Sequence, residues 1–185
     1  MSDLAPTPGQ TVGPFFHYAL PYDDGPRLSP PGSAGSIRLH GTVYDGAGEP
    51  VPDALLELRQ ADAAGRIARS EGSLHRDGRF TGWGRAATDT AGRYAFTTVE
   101  PAPARAGAAA YFAVTVFARG LLDRLFTRIY VPAPGLETDP VLSELPEERR
   151  ATLVAVREAD GGLRHDIRLQ GEHETVFLTF PGHDR

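Results

Sequence analysis

Any chemistry in this chain must come from oxygen, imidazole and guanidinium groups, because the sequence contains no cysteine. That removes disulfides, thiolate metal sites and a thiol nucleophile. The six histidines, His17, His40, His75, His165, His173 and His183, are scattered along the chain. A lone histidine is more often a surface or satisfied core residue than a ligand. Three places remain that could present reactive groups. Thr11-Val12-Gly13-Pro14 runs into Phe15-Phe16-His17-Tyr18, three aromatics after a Gly-Pro corner. Those rings must bury on this domain or on a partner. Arg119-Gly120 closes the apolar run Tyr111–Ala118, and a charge there is either capped by solvent or aimed at a ligand. The stretch from Arg66 to Thr81 has little apolar content. A loop on a rigid scaffold is a usual seat for a site, with a solvated excursion as the equal alternative.

The elements that must position these groups are strands. The stretch from Leu39 to Val99 carries three strand-like runs separated by Asp45-Gly46, Ala47-Gly48 and Asp89-Thr90-Ala91-Gly92. Glycine supplies the positive φ of such turns, and Asp bonds its own backbone two residues on. In the last run Tyr94, Phe96 and Thr98 alternate with Arg93, Ala95 and Thr97, the period of a half-buried strand. The pattern predicts strands over Ile37–Tyr44, Ala54–Ala61, Gly92–Val99, Tyr111–Ala118 and Leu125–Val131. It predicts two more, His165–Leu169 and Thr175–Phe180, around a turn at Gln170–Glu174. Tyr111–Ala118 is apolar and β-branched enough to be a buried strand. Pro146 and the acids after it predict one short helix to Leu153. Residues 1–36 are rich in Pro and Gly, without helical periodicity, and read as an N-terminal arm and linker. Residues 37–185 read as one all-β domain, an antiparallel β-sandwich.

Composition narrows the partners. Hydrophobic content of 41% and charged content of 23% are ordinary for a globular domain. A net charge of −5 argues against nucleic acid, which would need a basic face. Every basic side chain apart from histidine is Arg and none is Lys, which reads mainly as coding bias. No apolar run approaches the ~20 residues of a membrane span. The start, Met1-Ser2-Asp3-Leu4-Ala5-Pro6, lacks the basic and apolar regions of a signal peptide. The expectation is a cytoplasmic protein with no membrane partner.

Gly41-x-Val43-x-Asp45-x-x-Gly48, followed by Leu56–Gly65, resembles the intradiol ring-cleavage dioxygenases. Gly82-Trp83-Gly84-Arg85 with Thr88-Asp89-Thr90-Ala91-Gly92 is similar to their next block. Gln10–Phe15, Phe117–Gly120 and Asp166–Phe177 resemble more narrowly the alpha chains of the family's two-chain members. The resemblance implies a prealbumin- or transthyretin-like sandwich. It also implies chemistry at a ferric ion held by two Tyr and two His, hard Fe(III) suiting phenolate and imidazole. In that family one Tyr ligand lies in the loop before the Gly-x-Gly-Arg block, and the His form a His-x-His pair on the next buried strand. This chain departs at both places. Ile67–Phe80 holds no Tyr, the positions matching the His pair are Tyr111 and Ala113, and His-x-His occurs nowhere.

The resemblance therefore implies an alpha-type chain without metal and with no catalytic residue of its own. It would pair, in a higher-order αβ oligomer, with a beta-type chain that holds Fe(III). The pair would cleave protocatechuate, a small aromatic substrate, with O2 to 3-carboxy-cis,cis-muconate. The family also implies that this chain supplies part of the substrate-cavity wall through Thr11, Gly13, Pro14 and Arg119. A Gly-Pro corner offers backbone without bulk, and Arg presents a planar fork suited to a carboxylate. The alternative for Arg119 is an interface ion pair without substrate. Two other functions compete. A self-sufficient iron enzyme is opposed by the missing His pair. A transthyretin-like binding or structural module shares the turn pattern but has no need of the aromatic arm or Arg119.

Overall fold

The computed structural model describes residues 11–13, 15–30, 32–68 and 79–180. Its strands are β1 (Ser36–Tyr44), β2 (Leu55–Gln60), β3 (Trp83–Ala87), β4 (Arg93–Val99), β5 (Tyr111–Phe117) and β6 (Leu125–Tyr130). Three two-residue strands follow: β7 (Val156–Arg157), β8 (Leu163–Arg164) and β9 (Ile167–Arg168). One sheet runs β4-β1-β8-β7, with β9 also on β1; the other runs β3-β2-β5-β6. The long pairings are antiparallel, and only the short β8 and β9 lie parallel to β1. The expected sandwich is thus borne out.

Alternation decides which side chains face inward. In β4, Tyr94, Phe96 and Thr98 are buried, and in β5 so are Phe112, Val114 and Val116. They meet Leu39 and Val43 of β1, Leu56 and Leu58 of β2 and Ile129 of β6 in one core. Burying a Leu, Ile, Val or Phe contributes about 1.5–3 kcal/mol each before entropy is counted. One polar knot joins the sheets: Thr98 donates to Gln60 Oε1 at 2.6 Å, and Gln60 Nε2 donates to the carbonyls of Ala61 and Val99 at 2.9 Å. The turns use Asp as expected. Asp45 Oδ1 accepts the N–H groups of Ala47 and Glu49, and Asp89 Oδ1 accepts those of Ala91 and Arg93, all at 2.9 Å.

The N-terminal region departs from its expected irregularity. Phe16–Ala19 forms a helical turn, α1, that buries Phe16 while Phe15 and Tyr18 stay 72% and 74% exposed. Further on, residues 25–28 stitch the two sheets together. Thr97 N–H donates to Pro26 O and Leu28 N–H to Thr97 O, while Arg85 N–H donates to Gly25 O and Thr81 N–H to Leu28 O. The open edges of β4 and β3 are thereby covered, and Leu28 enters the core. Gly84 makes this possible, since a Cβ there would stand 2.4 Å from Leu28 Cδ1.

The C-terminal region also departs. The expected strand Thr175–Phe180 is an extended segment without ladder pairing, and the strand before it shrinks to β9. Single bonds hold the tail instead: Thr175 N–H to Arg168 O at 3.0 Å, Leu178 N–H to Phe126 O at 2.7 Å and Thr127 Oγ1 to Val176 O at 2.8 Å. Crossing near β1, the backbone of His165 needs Gly41, where a Cβ would meet the His165 carbonyl oxygen at 1.7 Å. The Tyr94 hydroxyl donates to that same oxygen at 2.7 Å. The expected short helix is α2, Glu147–Ala151. Among the described residues no helix is long and apolar enough to cross a membrane.

His165 generates a pH prediction. Its Nε2 bonds the Thr152 carbonyl at 3.0 Å, its Nδ1 is buried without a partner, and burial lowers its pKa from 6.5 to about 4. Between those values the unfolded chain binds the proton and the folded chain does not. Stability from this group is therefore fully present above pH 6.5 and falls as pH drops toward 4, by about 1.4 kcal/mol per pH unit. Urea unfolding at stepped pH should show this slope in the wild type and a shallower one in His165→Gln.

Candidate functional site

The sequence-derived site residues fall at the two ends of β5. At the C-terminal end, the Gly120 N–H donates to Thr11 Oγ1 at 3.0 Å. The arm and the Phe117–Gly120 corner are thus in contact. Gly13 lies two residues on, its carbonyl accepting the Phe16 N–H at 3.3 Å at the start of α1. Pro14 lies outside the described residues, as do residues 69–78 of the candidate loop. Arg119 Nε pairs with the carboxylate of Asp53, whose side chain is only 9% exposed, while that of Arg119 is 59% exposed. Asp53 anchors the base of the arginine and leaves its side chain largely in solvent. Nothing local in the sequence marks Asp53 for this pairing, which joins residues far apart in the chain.

Tyr111 and Ala113 sit near the other end of β5, roughly 20 Å away along six residue steps. They point away from the main core, and Tyr111 packs against a smaller cluster of Tyr130, Leu142 and Leu153. With Trp83, Phe126 and Arg128 they line an open cavity of about 340 Å³. The register sets its floor: Ala113 faces Arg59 on β2 and Arg128 on β6. The Arg128 guanidinium lies 4.2 Å from the Tyr111 ring centre and donates to the Tyr130 hydroxyl at 3.0 Å. Tyr130 in turn donates to Asp139 Oδ1 at 3.0 Å. Asp139, itself buried, also accepts the N–H groups of Ala109 at 2.9 Å and Val141 at 3.0 Å.

Charge in this network is well placed. Burial works to lower the pKa of Arg128, but the Tyr130 hydroxyl and nearby negative groups outweigh it, and the pKa rises. Burial pushes the Tyr130 phenol up to about 12, against the pull of Arg128. Burial works to raise the pKa of Asp139, yet the amides of Ala109 and Val141 bring it below the usual carboxylate range. Arg128 is cationic, Tyr130 neutral and Asp139 ionised at neutral pH.

These residues do not fit a ferric ion. Ala113 has no donor atom, the Tyr111 ring is covered by a guanidinium, and two arginines flank the position. Among the described residues no three His, Cys, Asp or Glu side chains gather in a metal-ligating group. Thr11, Gly13 and Arg119, expected at a cavity wall, and Tyr111 and Ala113, expected at the ligand positions, form no single site among the described residues.

A family model described as dioxygenase matches residues 12–171. The chain is 43% identical to the protocatechuate 3,4-dioxygenase alpha chain of Burkholderia cepacia, over 96% of this chain and 99% of that one. It is 32% identical to the beta chain of the same enzyme from Burkholderia cepacia, over 75% of this chain and 66% of that one. Among solved structures, the dioxygenase domain of a dioxygenase carbohydrate-binding fusion from Streptomyces sp. SirexAA-E has the same fold. Its TM-score is 0.59 at 24% identity, covering 90% of this chain and 99% of that one.

Asp139 ties the start of β5, the end of β6 and the 3-10 turn Leu142–Glu144 to one another. Asp139→Ala leaves three amides, those of Ala109, Val141 and Leu142, and a phenol without their acceptor and should destabilise the chain by roughly 3–5 kcal/mol. Urea unfolding at pH 7 measures this.

Proposed function

The chain belongs to this dioxygenase family, and on that footing we propose that it is the alpha-type subunit of a protocatechuate 3,4-dioxygenase. Its partner is a beta-type chain that holds Fe(III), and the pair works in the cytoplasm as a higher-order αβ oligomer. The assembled enzyme cleaves protocatechuate with O2 between the two hydroxyl-bearing carbons, giving 3-carboxy-cis,cis-muconate. The observation that carries this reading is that Ala113, which has no donor atom, and Tyr111, covered by the Arg128 guanidinium, stand where the resemblance expects the His pair. The near end-to-end likeness to an alpha chain agrees with it.

No step of the ring cleavage passes through this chain's residues; its part is to bind and orient. Thr11 and Gly120 join the arm to the Arg119 corner, and Phe15 and Tyr18 stand exposed on the turn that follows. Large exposed rings beside a presented guanidinium suit a partner interface with a polar ligand at its edge. Arg119, fixed at Nε by Asp53, then offers the rest of its fork to the substrate carboxylate.

Two expected outcomes test the reading. In the assembled enzyme, Arg119→Gln should raise KM for protocatechuate by roughly ten- to a hundredfold, one charged hydrogen bond being worth about 1.5–3 kcal/mol. kcat should stay near wild type, Arg119→Lys should recover part of the loss, and turnover of catechol, which lacks the carboxylate, should not change. An equal loss on catechol would assign Arg119 a structural role. Separately, Phe15→Ser with Tyr18→Ser should weaken association with the beta-type chain in analytical ultracentrifugation while leaving the melting temperature unchanged. Normal assembly of that double variant would remove the arm from the interface.

A further inference from the structure

Across the outer face of the second sheet, register aligns Trp83, Arg59, Ala113 and Arg128 in one row. Neighbouring strands lie about 4.8 Å apart, so the two arginine backbones flank the alanine at about 10 Å from each other. Two like charges so placed repel unless an anion sits between them. Arg128 is held from behind by the Tyr111 ring and the Tyr130 hydroxyl. Arg59 is exposed, and no acidic side chain among the described residues pairs with it. Glu57, the carboxylate on this wall, is already taken by Arg85, whose Nε donates to it at 3.1 Å. The gap above Ala113 is therefore electropositive. It opens into the 340 Å³ cavity, whose sides include Trp83, Tyr111, Phe126 and Phe180. That volume is within the range of small-molecule pockets, and apolar walls with a few convergent polar groups are their usual make-up.

We propose that the cleft over Ala113, between Arg59 and Arg128, is a non-catalytic binding site for a small aromatic carboxylate. The carboxylate lies between the two guanidinium groups, and the ring packs among the aromatic walls. A methyl side chain at position 113 leaves the room that any larger residue would fill. No bond is made or broken there. The same two positive charges would repel a metal cation from this position.

The chain's one tryptophan, Trp83, lines the cavity, so its emission reports on occupancy. The full-length chain is titrated with benzoate, 4-hydroxybenzoate, uncharged benzamide and inorganic sulfate, with calorimetry to count sites. Expected are saturable changes in Trp83 emission with benzoate and 4-hydroxybenzoate at one site per chain, and binding of benzamide at least tenfold weaker. Arg59→Gln should weaken benzoate binding roughly ten- to a hundredfold, the effect of one charged hydrogen bond. Ala113→Leu should abolish it with both charges kept. Arg59 is exposed, so its variant should melt like wild type, and the melting curve verifies this. Equal binding of benzamide, unchanged binding by Arg59→Gln, or no saturable change would overturn the proposal. Sulfate binding as tightly as benzoate and displacing it would also overturn it, since the aromatic walls would then play no part.

Discussion

Strand β5 must serve two faces at once, and the rest of the molecule depends on how its alternation divides them. Phe112, Val114 and Val116 point into the core, and Tyr111, Ala113 and Thr115 point out. β5 lies between β2 and β6, so the inward set closes the sandwich and the outward set floors the cavity. A one-residue slip would put Tyr111 and Thr115 into the core and expose Phe112 and Val114. The hydrophobic set therefore locks the register, and the register brings Arg59 and Arg128 to Ala113. Fold and cleft are set by the same pairing, yet they use different side chains.

That division explains what could be read in advance. The strands of the core were legible because period-two burial is written in the residues themselves, as in Tyr94, Phe96 and Thr98. The Asp turns were legible because Asp45 and Asp89 bond amides two and four residues on. The family was legible in local motifs. What escaped is non-local. Nothing around Gly25–Leu28 signals that it will bridge β3 and β4, since its backbone bonds go to residues far along the chain. Asp53 gives no sign that it will meet Arg119. The cationic row needs three strands in register before Arg59 and Arg128 become neighbours of one alanine. Thr175–Phe180 has strand-like residues, but it meets the open edge of β6 only through Leu178 N–H to Phe126 O and Thr127 Oγ1 to Val176 O, a side-chain bond in place of a ladder rung, so the tail stays extended on single bonds.

The two presented arginines are held differently, and the difference is physical. Arg119 is tied at Nε by a nearly buried carboxylate, an arrangement that orients the side chain while neutralising part of its charge. Arg128 is held by neutral groups, a phenol and an aromatic face, with the compensating Asp139 one residue further back. Its charge is less cancelled at close range. An arginine of the first kind suits a ligand edge where geometry matters most. One of the second kind keeps a positive field in a cleft.

Gly41 bears on how far such chains can diverge. The carbonyl oxygen of His165 occupies the space where its side chain would begin, and Tyr94 is fastened to the same oxygen. A single added methyl would push β9 off β1 and free a buried phenol, so substitution here is closed whatever the rest of the chain does. Ala113 is under no such restriction, because its side chain lies outside both core clusters. A duplicated gene of this architecture can lose its metal ligands by drift and still encode the same backbone. In distant relatives this glycine would then mark the alignment after every catalytic residue has gone.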